Sequence, residues 1–143
     1  MKPESVFWQE TKKKLDTFSL TRLESWASAG VPDVLGYGDK RGFFTIELKV
    51  TSSNKIKFSP HQIAFHFKHP KDSYILVKTL DPRSVKLYPG SSIQKLVTYG
   101  PTLPPIAEGW EACRLQLERL YIMGPPARLL LVACELFYFR KFI

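Results

Sequence analysis

Residues 31–49 contain two short apolar runs separated by a glycine-rich turn, and this stretch constrains the chain more than any other. Asp33 opens the first run, and Glu47-Leu48-Lys49 closes the second. Apolar runs joined by a Gly/Asp turn predict a β-hairpin. Because side chains at i and i+2 share one face of a strand, Glu47 and Lys49 must point the same way, with Leu48 opposite.

The hairpin therefore presents a carboxylate and an ammonium side by side, next to the second carboxylate of Asp33. Such a cluster suits a hard cation such as Mg²⁺, which is held by one or two carboxylates together with water and phosphate oxygens. A hairpin with two solvated acids and a surface lysine is the structural alternative. Against it, Glu47-Leu48-Lys49 directly follows Phe43-Phe44-Thr45-Ile46, where a purely structural strand favours apolar residues.

The order Pro32-Asp33 and then Glu47-Leu48-Lys49 resembles the signature of the PD-(D/E)XK nuclease superfamily. This superfamily includes archaeal Holliday-junction resolvases, many restriction enzymes and small phage nucleases. The resemblance covers roughly residues 3–80. It implies an α/β (α+β) fold with a central mixed sheet flanked by helices, in the restriction-endonuclease-like order αβββαβ. It also implies a homodimeric endonuclease that cleaves DNA with Mg²⁺, for which Mn²⁺ can substitute, with Holliday junctions or other branched DNA as candidate substrates.

The resemblance also implies roles for individual residues. Asp33, Glu47 and the backbone carbonyl of Leu48 would hold the metal ion. Lys49 would position or deprotonate the attacking water. Gln62 stands where similar nucleases carry a glutamine behind the Glu-x-Lys strand, and it would orient a water or a phosphate.

Many members of this superfamily also carry a glutamate on the first helix that aids metal binding. Here residues 3–16 are predicted to form that helix, because Pro3 suits a first turn and three lysines suit the last one. Glu4 shares a face with the apolar stripe, whereas Glu10 points toward the lysine side but lies closer to Asp33 in the sequence. We favour Glu4 and leave Glu10 as the alternative. The stripe consists of Phe7, Trp8, Thr11 and Leu15.

A formal net charge of +8 and a pI near 9.6 favour a polyanionic partner, and DNA is the partner that fits. The predicted phosphate-binding residues are basic side chains that flank the acidic cluster: Arg22, Lys40, Arg41, Lys55 and Lys57. Arg22 has a second interpretation, because it can pair with Glu24 instead of a phosphate. Binding through such contacts is independent of base sequence and sensitive to salt.

The remaining pattern predicts one domain over residues 1–143, with a core at about 3–90 and an extension at 91–143. Ser59 is expected to cap a helix that begins at Pro60 and packs Ile63, Phe67 and Phe65 inward. The other expected elements are strands at 18–25, 74–79 and 85–88, and helices at 91–99 and 110–122. The apolar tail 127–143 has no decided structure and is open to an oligomer contact.

Several classes of protein are disfavoured. Cys113 and Cys134 lack the spacing of a zinc site or a disulfide framework, which fits a reducing compartment. Without a nearby cysteine, the three histidines do not predict a zinc site. The polar N-terminus and the short apolar run at 129–139 predict neither a signal peptide nor a membrane span. We expect a cytoplasmic protein, in the host-cell cytoplasm if it is phage-encoded.

Two functional classes besides an enzyme stay open. One is a catalytically inactive nucleic-acid-binding domain that retains the nuclease fold and the basic surface. The other is a protein-interaction module that uses the apolar tail. The intact set of Asp33, Glu47 and Lys49 favours the enzyme.

Overall fold

A computed structural model describes residues 1–23 and 29–122, and the side chains up to residue 118. Its helices are α1 (Pro3–Lys14), α2 (Pro60–Lys68), α3 (Ile93–Tyr99) and α4 (Trp110–Ile122). Its strands are β1 (Ser19–Arg22), β2 (Val34–Gly38), β3 (Gly42–Thr51), β4 (Ser73–Leu80), β5 (Arg83–Pro89) and β6 (Ala107–Glu108). The tail at 127–143 and Glu24 lie outside the described residues. Among the helices described, none combines the length and the apolar character that crossing a membrane requires.

The six strands form one mixed sheet in the order β1-β2-β3-β4-β5-β6. β3 and β4 run parallel, joined by the crossover helix α2, and every other neighbouring pair is antiparallel. The first six helices and strands follow the order αβββαβ. The predicted fold class, an α+β fold built on a mixed sheet flanked by helices, is confirmed.

One face of the sheet packs against α1 and α4. The even-numbered residues Phe44, Ile46 and Leu48 of β3 are buried there in one core cluster. Helix α1 contributes Phe7 and Trp8, Leu15 follows as the residue that caps its C-terminus, and helix α4 contributes Cys113 and Leu117. The predicted apolar stripe of the first helix is therefore buried as expected, and α4 shares the core of the first 90 residues.

The opposite face of β4 and β5 packs against α2 and α3. A second apolar cluster there consists of Ile56, Ile75, Val77, Tyr88, Ile93 and Leu96. Strand alternation places Glu47 and Lys49 on this side of β3, because Leu48 faces the first core. The sheet thus separates the first core, under α1 and α4, from the side that contains the second apolar cluster together with Glu47 and Lys49.

Helix α2 begins as predicted, at Ser59 and Pro60. The Ser59 hydroxyl accepts a hydrogen bond from the Gln62 amide at 3.2 Å, and the Gln62 side chain accepts one from the Ser59 amide at 3.0 Å. The expected inward packing of Phe67 is wrong, because its side chain is 68% exposed. His66, the residue before Phe67, is buried instead, because its ring hydrogen-bonds the Ser73 hydroxyl at the start of β4.

Gly36 of β2 lies directly opposite Phe44 of β3 in the hairpin. A Cβ atom at Gly36 would lie 2.4 Å from the Phe44 ring, and that ring is buried in the first core. Gly36→Ala should lower the free energy of unfolding by about 1–3 kcal/mol, because a well-packed core resists an added methyl group. Urea denaturation measures this change. Ser19→Ala, on the exposed edge strand, is the control and should stay within about 0.5 kcal/mol of wild type.

Candidate active site

Asp33 lies immediately before β2, at the point where the β2–β3 ladder ends. The last paired residues are Val34 and Ile46. Beyond them, the Asp33 side chain replaces the missing strand partner, because its Oδ2 accepts a hydrogen bond from the Leu48 amide at 2.9 Å. The Asp33 carbonyl accepts a further bond from the Leu23 amide at 2.7 Å. The carboxylate of Asp33 is thus held against the backbone of β3.

Gln62 joins Glu47 to Lys49. Its amide nitrogen donates to Oε1 of Glu47 at 2.6 Å, and its amide oxygen accepts from the Lys49 ammonium at 3.0 Å. Lys49 Nζ lies 3.7 Å from the same Glu47 oxygen. The structure therefore brings together Asp33, Glu47, Lys49 and Gln62, four of the five predicted catalytic residues. We call them the acidic cluster.

The Glu47 carboxyl group is 1% exposed, and its environment disfavours the charged form. Burial raises its pKa to about 8, with the negative charge of Asp33 acting in the same direction and Lys49 opposing it. In the ionised form its Oε2 atom is buried without a hydrogen-bond partner among the described residues. A hydrogen bond between the carboxyl groups of Glu47 and Asp33, which needs the proton, raises the pKa further. A positive charge placed beside this oxygen and Asp33 would relieve both penalties.

These residues fit a divalent cation with few protein ligands. Within residues 1–23 and 29–122, no group of three or more His, Cys, Asp or Glu side chains is arranged to hold a metal ion. An ion at this site would have the two carboxylates of Asp33 and Glu47. The Leu48 carbonyl is a third ligand within reach, since the N–H and C=O of one strand residue point to the same neighbour and this N–H meets Asp33. Mg²⁺ accepts such a set and retains water in its other positions.

The two glutamates of α1 occupy different environments. Glu10 pairs with Lys78 and accepts a hydrogen bond from the Trp110 indole at 3.1 Å, so it joins α1 to β4 and α4. Glu4 is exposed in the first turn, and its negative charge contributes to the raised pKa of Glu47. The structure therefore places Glu4, the fifth predicted catalytic residue, within electrostatic range of the acidic cluster.

His66 lies one helical turn after Gln62 and is fully buried. Its Nδ1 is 2.5 Å from the Ser73 hydroxyl. Burial lowers the pKa of His66 to about 4, and the charge of Lys49 acts in the same direction, so the ring is neutral near pH 7. Sequence reasoning considered this histidine only as a zinc ligand. Its i+4 spacing from Gln62 was the available signal that it shares the face turned toward the cluster.

The prediction that Arg41 binds DNA phosphates is wrong for this structure. Its side chain is 4% exposed and bonds Asp72 at 3.0 Å and the Tyr74 hydroxyl at 2.8 Å. The guanidinium also lies 4.6 Å from the centre of the Phe44 ring. Arg41 thus closes the hairpin against β4 through its two terminal nitrogens, while its buried Nε has no hydrogen-bond partner among the described residues.

The other predicted phosphate-binding residues are exposed, at different distances from the cluster. Lys55 and Lys57 follow β3, in a segment that Thr51 anchors by donating to the Lys55 carbonyl at 2.7 Å. Lys40 occupies the turn after β2, roughly 20 Å from Asp33 at about 3.3 Å per strand residue. Arg22 pairs with Val34 in the ladder, which places it on the α1 face of the sheet. Its alternative partner Glu24 is outside the described residues.

Comparisons with known proteins give a likeness at the level of the fold. The chain matches no known protein family and no curated protein. One solved structure that matches is Hjc of Archaeoglobus fulgidus, a Holliday junction resolvase from an archaeal hyperthermophile. The TM-score is 0.49 with 18% sequence identity, over 63% of this chain and 75% of that one. The function proposed below rests on the acidic cluster and not on this likeness.

The raised pKa of Glu47 predicts how stability depends on pH without a divalent ion. The folded protein retains the Glu47 proton up to about pH 8, whereas the unfolded chain loses it near the ordinary value of 4.5. The folded state thus binds more protons between these values, so its stability falls as pH rises through this window. Glu47→Gln should remove this dependence, so the melting temperature of the variant minus that of wild type should increase from pH 6.5 to pH 8.

Thermal denaturation in EDTA, recorded for both proteins at each pH, measures the effect. His66 titrates in the same way in both proteins, so its contribution cancels in the difference. A constant difference in melting temperature between pH 6.5 and 8 would contradict the electrostatic description of the cluster.

The two glutamates of α1 should respond differently to substitution. Glu4→Gln should reduce the DNA cleavage expected from the sequence several-fold with little change in melting temperature, because Glu4 is exposed and would act through its charge. Glu10→Gln should lower the melting temperature and change turnover less, since it weakens the contacts with Lys78 and Trp110. Cleavage rates and melting curves of both variants give the answer, and a larger loss of turnover in Glu10→Gln would reverse the assignment.

Proposed function

We propose that this protein is a Mg²⁺-dependent DNA endonuclease of the PD-(D/E)XK type. The observation that carries the proposal is the acidic cluster. Gln62 hydrogen-bonds both Glu47 and Lys49, and the Leu48 amide holds the Asp33 carboxylate next to the buried Glu47. Two acids and a lysine in this arrangement are typical of metal-assisted phosphodiester hydrolysis.

The ligands proposed for the ion are Asp33, Glu47 and the Leu48 carbonyl. When bound, Mg²⁺ supplies neutralising charge to the phosphoryl oxygens of the scissile group. The protein's part is to hold its own groups in place. Asp33 is fixed by the Leu48 amide, and Glu47 is fixed by Gln62, so both carboxylates are oriented before substrate arrives.

Lys49 is the residue proposed to act on the attacking water. Its ammonium is held by the Gln62 amide oxygen and lies over the Phe58 ring at 5.1 Å. Gln62 contacts Glu47 with its other end, so one amide sets the position of the lysine relative to the carboxylate. This coupling gives Gln62 a positioning role, with Glu4 adding negative charge to the same site.

DNA is the proposed partner, bound mainly through phosphates. Lys55 and Lys57 are the proposed contacts nearest the cluster, because they follow β3 and precede the helix that carries Gln62. Lys40 and Arg22 are proposed as outlying contacts. A branched substrate such as a Holliday junction needs two coordinated cuts, so a homodimer belongs to the proposal, and light scattering measures it.

The central test is cleavage of plasmid and branched DNA by variants of the cluster. Asp33→Asn, Glu47→Gln and Lys49→Ala should each reduce cleavage by at least about 100-fold, since they remove metal ligands or the group that acts on water. DNA affinity should stay within a few-fold of wild type, because phosphate contacts supply most of it. Lys57→Ala is the matched control, and it should weaken binding with a smaller effect on the single-turnover rate.

The metal requirement is measured on the same substrates. Mg²⁺ or Mn²⁺ should support cleavage, EDTA should abolish it, and Ca²⁺ should support it poorly because it prefers longer bonds and more ligands. Full activity in EDTA would exclude the metal mechanism. DNA binding without cleavage under every condition would favour the inactive nucleic-acid-binding domain.

A further inference from the structure

Two aromatic rings lie exposed on the sheet, away from both apolar cores. Phe43 is 64% exposed and Tyr37 is 38% exposed. They are direct partners in the β2–β3 ladder, and their ring centres are 4.7 Å apart. Neither ring belongs to the acidic cluster, and the core does not account for them.

Strand register places these rings on the same face as the acidic cluster. Phe43, Thr45, Glu47 and Lys49 alternate with the core residues of β3, so all four point to one side of the sheet. Phe43 precedes Glu47 by four residues, which is about 13 Å along a strand. The rings therefore lie on the same face of the sheet as the buried carboxylate, four residues from it along β3.

This side of the sheet is exposed at β1, β2 and the start of β3, whereas α2 covers β3 at Glu47 and Lys49. Helices α1 and α4 pack on the opposite face, and α2 and α3 pack over β4 and β5. Thr21 and Ser19 of β1 are exposed beside Leu35 and Tyr37 in the register. We call the surface formed by Ser19, Thr21, Leu35, Tyr37 and Phe43 the shelf.

The charges around the shelf favour an anion. Lys40 is exposed beside Asp39 in the turn that joins Tyr37 to Phe43, and Lys71 is exposed next to Asp72. The Asp72 carbonyl bonds the Thr45 amide, so this segment borders the start of β3. The Asp72 side chain is paired with Arg41. Lys40 and Lys71 thus add to the net charge of +8, which attracts a polyanion to the chain.

We propose that the shelf binds an unpaired strand of nucleic acid, with bases stacked on Tyr37 and Phe43 and the backbone directed toward the acidic cluster. Exposed aromatic rings with flanking lysines bind single strands because every base has a flat face that stacks. At about 3.4 Å per stacked nucleotide, the distance to Glu47 corresponds to about four nucleotides. Delivery of the strand to the acidic cluster for cleavage rests on the proposed nuclease function. The binding of the strand to the rings does not.

The test compares labelled single-stranded DNA, blunt duplex and a duplex with a single-stranded flap by fluorescence anisotropy in EDTA. The double variant Tyr37→Thr, Phe43→Thr keeps residues that suit a strand and removes both rings. It should lose about tenfold or more in affinity for the single strand and the flap, with less than about twofold change for the duplex. Tyr99→Thr is the matched control, since Tyr99 is 58% exposed on α3.

A conservative pair, Tyr37→Phe with Phe43→Trp, should retain binding because both rings are kept. If the double variant does not fold by circular dichroism, the single variant Phe43→Thr carries the same comparison. Unchanged affinity for the single strand, or an equal loss on the duplex, would overturn the proposal. A variant that changes from dimer to monomer without loss of DNA affinity would also overturn the proposal. The shelf would then be a contact between copies of this chain.

Failure of this inference and failure of the nuclease function give different results. If wild-type protein does not cleave with Mg²⁺ but binds single strands through the shelf, the nuclease proposal fails and the shelf stands. If wild-type protein cleaves and the shelf variants bind and cut flapped DNA as wild type does, the shelf proposal fails and the nuclease stands.

Discussion

The buried carboxylate of Glu47 is the constraint on which the site depends. An ionised group removed from water costs several kcal/mol unless other groups compensate, and here two of them do so in part. Gln62 donates to one oxygen and Lys49 lies nearby, but the other oxygen has no partner among the described residues. Asp33 adds charge of the same sign. The protein alone therefore favours the protonated form of Glu47 up to about pH 8, and the divalent cation proposed above would supply the positive charge that favours the ionised form.

Much of this arrangement could be predicted because it depends on local rules. Alternation along β3 determines that Leu48 enters the core while Glu47 and Lys49 face the other way. The capping box at Ser59 sets the start of α2, and this places Gln62 in the first turn, where its side chain reaches back to the strand. Period and capping need only neighbouring residues, so the sequence alone was sufficient for them.

Residues whose partners are distant in sequence could not be assigned in this way. Arg41 follows Lys40 and resembles any solvated basic pair, yet it is buried by Asp72 and Tyr74, which are more than thirty residues away. Glu10 is likewise decided by Lys78 and Trp110. Only the packing of β4 and α4 reveals such partners.

The end of the β2–β3 ladder explains why the site lies where it does. Val34 and Ile46 form the last pair of the ladder, so β3 has no strand partner on this side beyond Ile46. The amide and carbonyl of Leu48 would be unpaired there. The Asp33 side chain satisfies the amide, and the carbonyl remains available on the same side as that carboxylate. Because β3 continues five residues beyond Ile46, the last residue paired with β2, the Asp33 carboxylate and the Leu48 carbonyl come together at the end of the ladder. On the other side of the sheet from the first core, the exposed rings of Tyr37 and Phe43 form the surface proposed above to bind an unpaired strand.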